Sequence, residues 1–207
     1  MQPNMDLLTA TWQKANRKFS PNTKLILQAG LSRHVPIDLL SEWAEPFFDN
    51  AVVASIDLYG DELAQPIENF IPLYKKAKAK GWILRAHVGE WGTADDVMRA
   101  VELLELDEVQ HGIAAAGSKE VMRFLRQNKI RLNICPTSNL LLGRVPSMKE
   151  HPIRKLYDAG VIVTVNTDDS LVFGNNLSDE FFALYKAGLF TAAELDSIRL
   201  NGFAKTN

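Results

Sequence analysis

The stretch GWILRAHVGEWG, residues 81–92, joins two kinds of pattern. Its first half is a short, mostly apolar run, as expected of a strand covered on both faces. Behind it, TADDVMRAVELL (residues 93–104) spaces its apolar residues as a helix does, with Thr93 placed to cap it and Asp96 in the first turn. His87 and Glu90, three residues apart, therefore stand where a strand hands over to a helix. Both side chains exchange protons and both can ligate a metal.

The same alternation runs through the chain. KLILQAG (24–30), AVVASIDLYG (51–60), DEVQHG (107–112), IRLNICP (130–136) and VIVTVNTDD (161–169) read as further strands. Helices are expected over residues 5–19, where Leu8, Trp12, Ala15 and Phe19 share one face, and over PIDLLSEWAEPFF (36–48). Another spans IENFIPLYKKAKAK (67–80), with a proline inside to kink it. SKEVMRFLRQN (118–128) has a Ser cap, HPIRKLYDAG (151–160) ends at Gly160, and two helices close the chain, the last opening on the capping box TAAE (191–194). The aromatics of FFALY (181–185) fall at helical spacing and are expected in the core. No hairpin signal separates these elements. Roughly six strand–helix units without hairpins imply an α/β fold, a parallel sheet with helices outside. A doubly wound sheet and an eight-stranded barrel both fit, but no GxGxxG or GxxxxGK[ST] follows any strand, which weakens the nucleotide-binding form of the first.

The strand ends separate the two. They read DLYGDE, HVGE, QHG, CPTSN and NTDD, all rich in hydrogen-bonding or metal-binding groups, while the strand beginnings carry none. In a barrel the C-terminal strand ends converge on one mouth, where barrel enzymes do their chemistry. An open sheet spreads them too far apart to meet.

Composition narrows the class further. The 207 residues are 46% hydrophobic, enough for one core, so a single domain is expected. A net charge of −2 argues against a nucleic-acid surface, which would be basic. The one dense basic run, KKAKAK (75–80), ends a helix before Gly81, where cations complement the helix dipole. Cys135 is the only cysteine, which excludes an internal disulfide and fits a reducing compartment. The first residues lack a signal-peptide pattern, and no apolar run approaches the ~20 residues that span a bilayer. A soluble, cytoplasmic protein with no membrane partner is expected.

HVGE, QHGIA, CPTSN and NTDD, in this order, resemble the adenosine deaminase family of zinc-dependent aminohydrolases, and DLYGDE resembles that family's Gly-Asp-Glu strand end. The resemblance implies a (β/α)8 TIM barrel of the metal-dependent hydrolase type, a purine substrate and a zinc ion. It implies His87 and Asp168 as zinc ligands, Glu90 as the acid that protonates the purine ring nitrogen beside the attacked carbon, and His111 as the group that orients and deprotonates the attacking water. Asp169 is then the carboxylate paired with another purine nitrogen, and Gly60 the backbone contact to the purine edge. The residue types suit the chemistry: zinc lowers the pKa of its water to roughly 7, and a carboxylic acid must face a ring nitrogen as aromaticity breaks. Holding that acid protonated near neutrality needs burial or a neighbouring carboxylate.

The sequence departs from the family in one large respect. Its four histidines are His34, His87, His111 and His151, so it contains no His-x-His, the pair that the family's first strand contributes to zinc. KLILQAG resembles the family's third strand. Residues 1–207 are therefore expected to be the C-terminal portion of one barrel domain, a truncated barrel of roughly six of the eight units. Zinc held by His87 and Asp168 alone falls short of the usual three protein ligands, so weak binding or none is expected. Two raw sheet edges, at 24–30 and 161–167, predict a homo-oligomer and some exposed apolar helix surface. Smaller departures are Ser170, where Pro is usual, and Val88, where Ala is commoner. Cys135 reads as a packed thiol, Ser138 and Asn139 as turn formers, and His34 and His151 as structural. The alternative to an enzyme is an inactive fragment that serves as a binding or assembly module.

Overall fold

Parallel pairing of short strands organises the chain, seen in a computed structural model that describes residues 4–23 and 26–203. The strands are β1 (Leu27–Ser32), β2 (Val53–Tyr59), β3 (Ile83–Val88), β4 (Glu108–His111), β5 (Arg131–Ile134) and β6 (Ile162–Val165). The helices are α1 (Met5–Phe19), α2 (Ile37–Phe48), α3 (Ile71–Ala79), α4 (Ala94–Leu104), α5 (Lys119–Gln127), α6 (Pro136–Leu141), α7 (Ile153–Asp158), α8 (Ser170–Phe173), α9 (Leu177–Lys186) and α10 (Ala192–Asn201). Among the described residues, no helix is long and apolar enough to cross a membrane. The chain divides into two compact units, Met1–Ala86 with Leu103–Glu105, and His87–Glu102 with Leu106–Asn207.

In the first unit β1 pairs with β2 and β2 with β3, all parallel, in a register that sets Gln28 against Ser55 and Ser55 against Ile83. Ile56 and Leu58 on β2 and Phe70, Tyr74 and Ala77 beneath them are buried, and Phe48 stacks on Trp82 with ring centroids 4.9 Å apart. The buried Tyr74 hydroxyl donates to the Arg85 carbonyl. β1 runs two residues beyond the expected end at Gly30, while Lys24 and Leu25, where that strand was expected to begin, lie outside the described residues. Pro72 does not kink a helix. It sits in the first turn of α3, after a 3-10 turn at Ile67–Phe70, where its missing N–H leaves no helical bond unmade. The lysine run ends α3 as expected, with Lys76 paired to Glu45 and Lys78 to Glu105. The α1 face that carries Leu8, Trp12 and Phe19 is exposed.

In the second unit β4 pairs with β5 and β5 with β6, again parallel. Thr93, Ser118 and Thr191 cap α4, α5 and α10 as their sequences require, Thr191 and Glu194 forming a full capping box. Three helices, α8, α9 and α10, follow β6, one more than the pattern suggests. In α9 only Leu184 of the FFALY group is fully buried; Phe182 and Tyr185 are exposed, so these aromatics are not a core stripe. Among the described residues β1 pairs only with β2, and β6 only with β5.

A part-buried polar ladder crosses the strands of this unit, with Glu108 and Thr164 its buried members. Glu108, 1% exposed, accepts from Arg131 Nη2 at 2.5 Å and from Asn133 Nδ2 at 2.8 Å. Asn133 Oδ1 in turn accepts from Thr164 Oγ1 at 2.8 Å, which accepts from Asn166 Nδ2 at 2.8 Å. A buried charge is tolerated only when paired and hydrogen-bonded, so this ladder is a specific requirement on β4, β5 and β6 together. Glu108→Ala removes a buried carboxylate that pairs with Arg131 and Asn133 and is expected to lower the unfolding free energy by ~3–5 kcal/mol in urea denaturation, with Glu108→Gln costing less.

Before α7, His151 is 2% exposed, and burial pushes its imidazole down to about 4. Between that value and the ordinary ~6.5 the unfolded chain binds the extra proton, so this group's stability is intact above about pH 6.5 and falls as pH drops towards 4. The expected loss over that window is about 3 kcal/mol. Urea midpoints measured at pH 7 and pH 5 should diverge in the wild type and converge in His151→Gln.

Candidate active site

Two backbone hydrogen bonds join the ends of β3 and β4. Gly112 N–H donates to the Val88 carbonyl at 3.1 Å, and Ala114 N–H to the Gly89 carbonyl at 2.9 Å. Gly89 has φ +73°, and a Cβ there would lie 2.3 Å from Val97 Cγ2 and 3.4 Å from Gly112 Cα, so the joint closes only with glycine at this position. His111 itself has φ +62°, a left-handed conformation uncommon for a side-chain-bearing residue, and Gly112 follows with φ +68°. Strand–Gly–Glu and strand–His–Gly thus meet back to back. The His87 and His111 rings come within 5.4 Å, centroid to centroid, and are tilted by 51°.

Around His111, 3% exposed, the acids gather. Glu90 Oε1 lies 3.6 Å from His111 Nδ1, and Asp168 Oδ2 lies 3.9 Å from His111 Nε2. CPTSN supplies the rest. It is not a turn: Pro136 starts α6 directly after β5, which buries Ser138 and Asn139. Ser138 Oγ donates to Asp168 Oδ2 at 2.8 Å, and Asn139 Nδ2 donates to Glu90 Oε1 at 3.2 Å. Asn139 also meets His111 Nδ1 at 3.4 Å and, on its other side, His151 Nε2 at 3.3 Å. Glu180, fully buried on α9, accepts from Thr137 N–H at 3.1 Å and from Asn175 Nδ2, and so holds the first turn of α6. Burial raises the Glu180 carboxyl above its usual range. From the far side Arg144 Nε donates to the Glu90 carbonyl at 3.1 Å and lies over the Trp91 ring, 4.2 Å from its centroid.

Of the expected site residues, His87, Glu90, His111 and Asp168 therefore lie in one neighbourhood of the second unit. Asp169 is exposed and begins α8 through its backbone carbonyl, with no side-chain cap. Gly60 closes β2 in the first unit at φ +97°, where a Cβ would come within 3.1 Å of His34 Cδ2. Ser138, Asn139, His151 and Glu180 were missed as site residues. Their signal was available only as Pro directly after a strand-end Cys, and as a His that matched no motif.

Cys135 is buried, as expected of a packed thiol, and burial together with nearby Asp168, Glu180 and Glu90 pushes its ionisation well above the usual thiol range. Yet His111, Cys135 and Asp168 each offer a ligand atom within 4.8 Å of the others, the one such trio among the described residues. Nitrogen, sulfur and carboxylate oxygen donors at this spacing suit zinc, so the residues present fit a metal of that kind.

Known proteins agree with the strand-end reading. The adenosine deaminase family model matches residues 1–206. A putative adenosine/adenine deaminase of Treponema pallidum is 39% identical over 197 residues, an alignment that covers 95% of this chain and 66% of that protein. The crystal structure of an adenine deaminase from Arthrobacter aurescens superposes with a TM-score of 0.85 at 28% identity, covering 95% of this chain and 61% of that one. An amidohydrolase from Burkholderia ambifaria, solved with bound Zn, gives a TM-score of 0.79 at 28% identity, covering 92% of this chain and 53% of that one. The chain thus spans about half to two thirds of the length of these relatives. Its six parallel strands alternating with helices are an incomplete (β/α) barrel of the type these deaminases share. Sequence, fold and strand-end chemistry lead to one assignment: this chain belongs to the adenosine deaminase family.

Proposed function

We propose that the chain carries the reacting half of a purine aminohydrolase, which replaces the exocyclic amine of adenine or adenosine by water and releases ammonia. The single observation that supports this most is the meeting of Glu90, His111 and Asp168, with contacts of 3.6 and 3.9 Å on the two nitrogens of one buried imidazole. The names of the relatives point to the substrate class.

In this reading His87 and Asp168 would hold the metal, with Cys135 near Asp168 and His111 outside the coordination set as a hydrogen-bonding neighbour. Zinc, when bound, supplies a water whose pKa is lowered to roughly 7. The chain's own residues do the rest. Asp168 is kept in place by Ser138 Oγ at 2.8 Å, leaving its other oxygen available. His111 orients the attacking oxygen. Glu90 delivers a proton to the ring nitrogen beside the attacked carbon, so that the ring accepts the new C–O bond without building a full negative charge. Of the water's two protons, one ends on the departing amine, which leaves as ammonia, and the other restores Glu90 as the carbonyl forms. Asp169 pairs with another nitrogen of the purine.

Two measurements test this. Elemental analysis of the purified chain, with and without added zinc, reads the metal. The ultraviolet change as adenine or adenosine loses its amine reads turnover. Stoichiometric zinc with turnover, and a ~10²–10⁴-fold fall in kcat for Glu90→Gln with little change in KM, is the expected result. No metal and no turnover in either condition would favour the second reading, a binding or assembly module that keeps the fold without the chemistry. Among the described residues the outer edges of β1 and β6 carry no further strand, which favours self-association, and a monomer in light scattering would remove that part of the reading.

A further inference from the structure

The resemblance gives no role to His151 or to Asn139, the last residue of CPTSN, yet together they reach Glu90 and His111. The direction of their hydrogen bonds follows from one group whose role is beyond choice. The Ile153 backbone N–H can only donate, and it does so to His151 Nδ1 at 3.1 Å. Nδ1 of His151 therefore carries its lone pair. A buried imidazole with no carboxylate at that nitrogen is neutral, so its hydrogen is on Nε2. Nε2 lies 3.3 Å from Asn139 Oδ1. The amide accepts there, which fixes the orientation of an otherwise flippable side chain.

With Oδ1 turned to His151, the two hydrogens of Asn139 Nδ2 point the other way. One goes to Glu90 Oε1 at 3.2 Å and the other to His111 Nδ1 at 3.4 Å. Asn139 is fully buried, and its backbone carbonyl accepts from Arg144 N–H at 2.8 Å, so the amide has little freedom to turn over.

We infer that His151 and Asn139 act as a positioning relay that sets the hydrogen at His111 on Nε2 and leaves Glu90 Oε1 as an acceptor. Two consequences follow for this chain. Neutral His111 shows an N–H, not a lone pair, on the side of Asp168, so it orients an incoming oxygen by donating to it. A proton carried by Glu90 sits on Oε2, because the carbonyl-type oxygen is the better acceptor for the amide. The tautomer assignment stands on the hydrogen bonds alone; its meaning for catalysis rests on the purine aminohydrolase reading.

The experiment is a long-range proton–nitrogen correlation spectrum of the full chain with ¹⁵N-labelled histidine, which reads the tautomer of each ring. In the wild type, His151 and His111 should both show hydrogen on Nε2 and a bare Nδ1. In Asn139→Asp the new carboxylate cannot donate, so His111 should move its hydrogen to Nδ1 while His151, still facing the Ile153 N–H, keeps its pattern. General unfolding would disturb both rings together, so the split identifies the relay. A wild-type His111 with hydrogen on Nδ1 overturns the proposal without need of any variant, as does a His111 signal that Asn139→Asp leaves unchanged. A second arm reads purine turnover. His151→Leu should lower kcat by ~10–100-fold with KM nearly constant, and His151→Gln, whose amide can donate to Asn139 Oδ1, should restore most of it. If the wild type turns over neither adenine nor adenosine, the functional reading fails while the spectra still decide the relay.

Discussion

The joint between the ends of β3 and β4 is the constraint on which the site depends. Two N–H groups after β4 reach two carbonyls at the end of β3. That geometry is possible only because Gly89 and Gly112 take left-handed conformations with no side chain in the way. One consequence is that His87, Glu90 and His111 are placed by backbone, not by flexible side-chain packing. Another is strain: His111 is itself held at positive φ, a cost of the kind that gathers where a side chain must be aimed.

The second organising feature is polarity inside the strands. In the first unit Gln28 Nε2 donates to Asp57 Oδ2 at 3.2 Å, and Arg85 Nη1 donates to Gln28 Oε1 at 2.9 Å. In the second, Glu108, Arg131, Asn133, Thr164 and Asn166 form a continuous ladder. These residues alternate with Ile56, Leu58, Leu132, Ile134 and Val163, all buried. Each strand thus shows one apolar face to the helices and one polar face to its neighbours' polar side chains. The energetic logic differs on the two sides: area removed from water on one, hydrogen bonding between side chains on the other. Such a layer has least tolerance for a lost partner at its buried members, Asp57, Glu108 and Thr164.

The helix α6 connects these features to the chemistry. Its first turn is gripped by the Glu180 carboxylate, and its inner face brings Ser138 to Asp168 and Asn139 to Glu90 and His111. Four chain segments far apart in sequence, 87–90, 111, 135–139 and 168, are thereby tied by side-chain hydrogen bonds as well as by the strands that precede them. Glu180 holds this arrangement at Thr137 and His151 at Asn139, without belonging to the set that meets substrate in the proposed reaction.

Residue order alone determined the alternation of strands and helices, since buried parallel strands leave short apolar runs and their crossover helices leave a 3.6-residue period. It also determined the caps at Thr93, Ser118 and Thr191, which are local, and the family, because HVGE, QHGIA, CPTSN and NTDD follow one another in order. Other features were decided only by the tertiary structure. Pro72 looked like a kink but begins a helix, because the turn before it is 3-10. Ser138 and Asn139 looked like turn formers but are buried, because β5 leads straight into α6 and Glu180 waits at its start. His151 looked merely structural, and its tie to Asn139 spans twelve residues with a loop between. The reason is common to the last two. Local sequence sets which backbone shapes are cheap, but a polar side chain's partner is chosen by what lies across from it in space, and no periodicity in the chain encodes that.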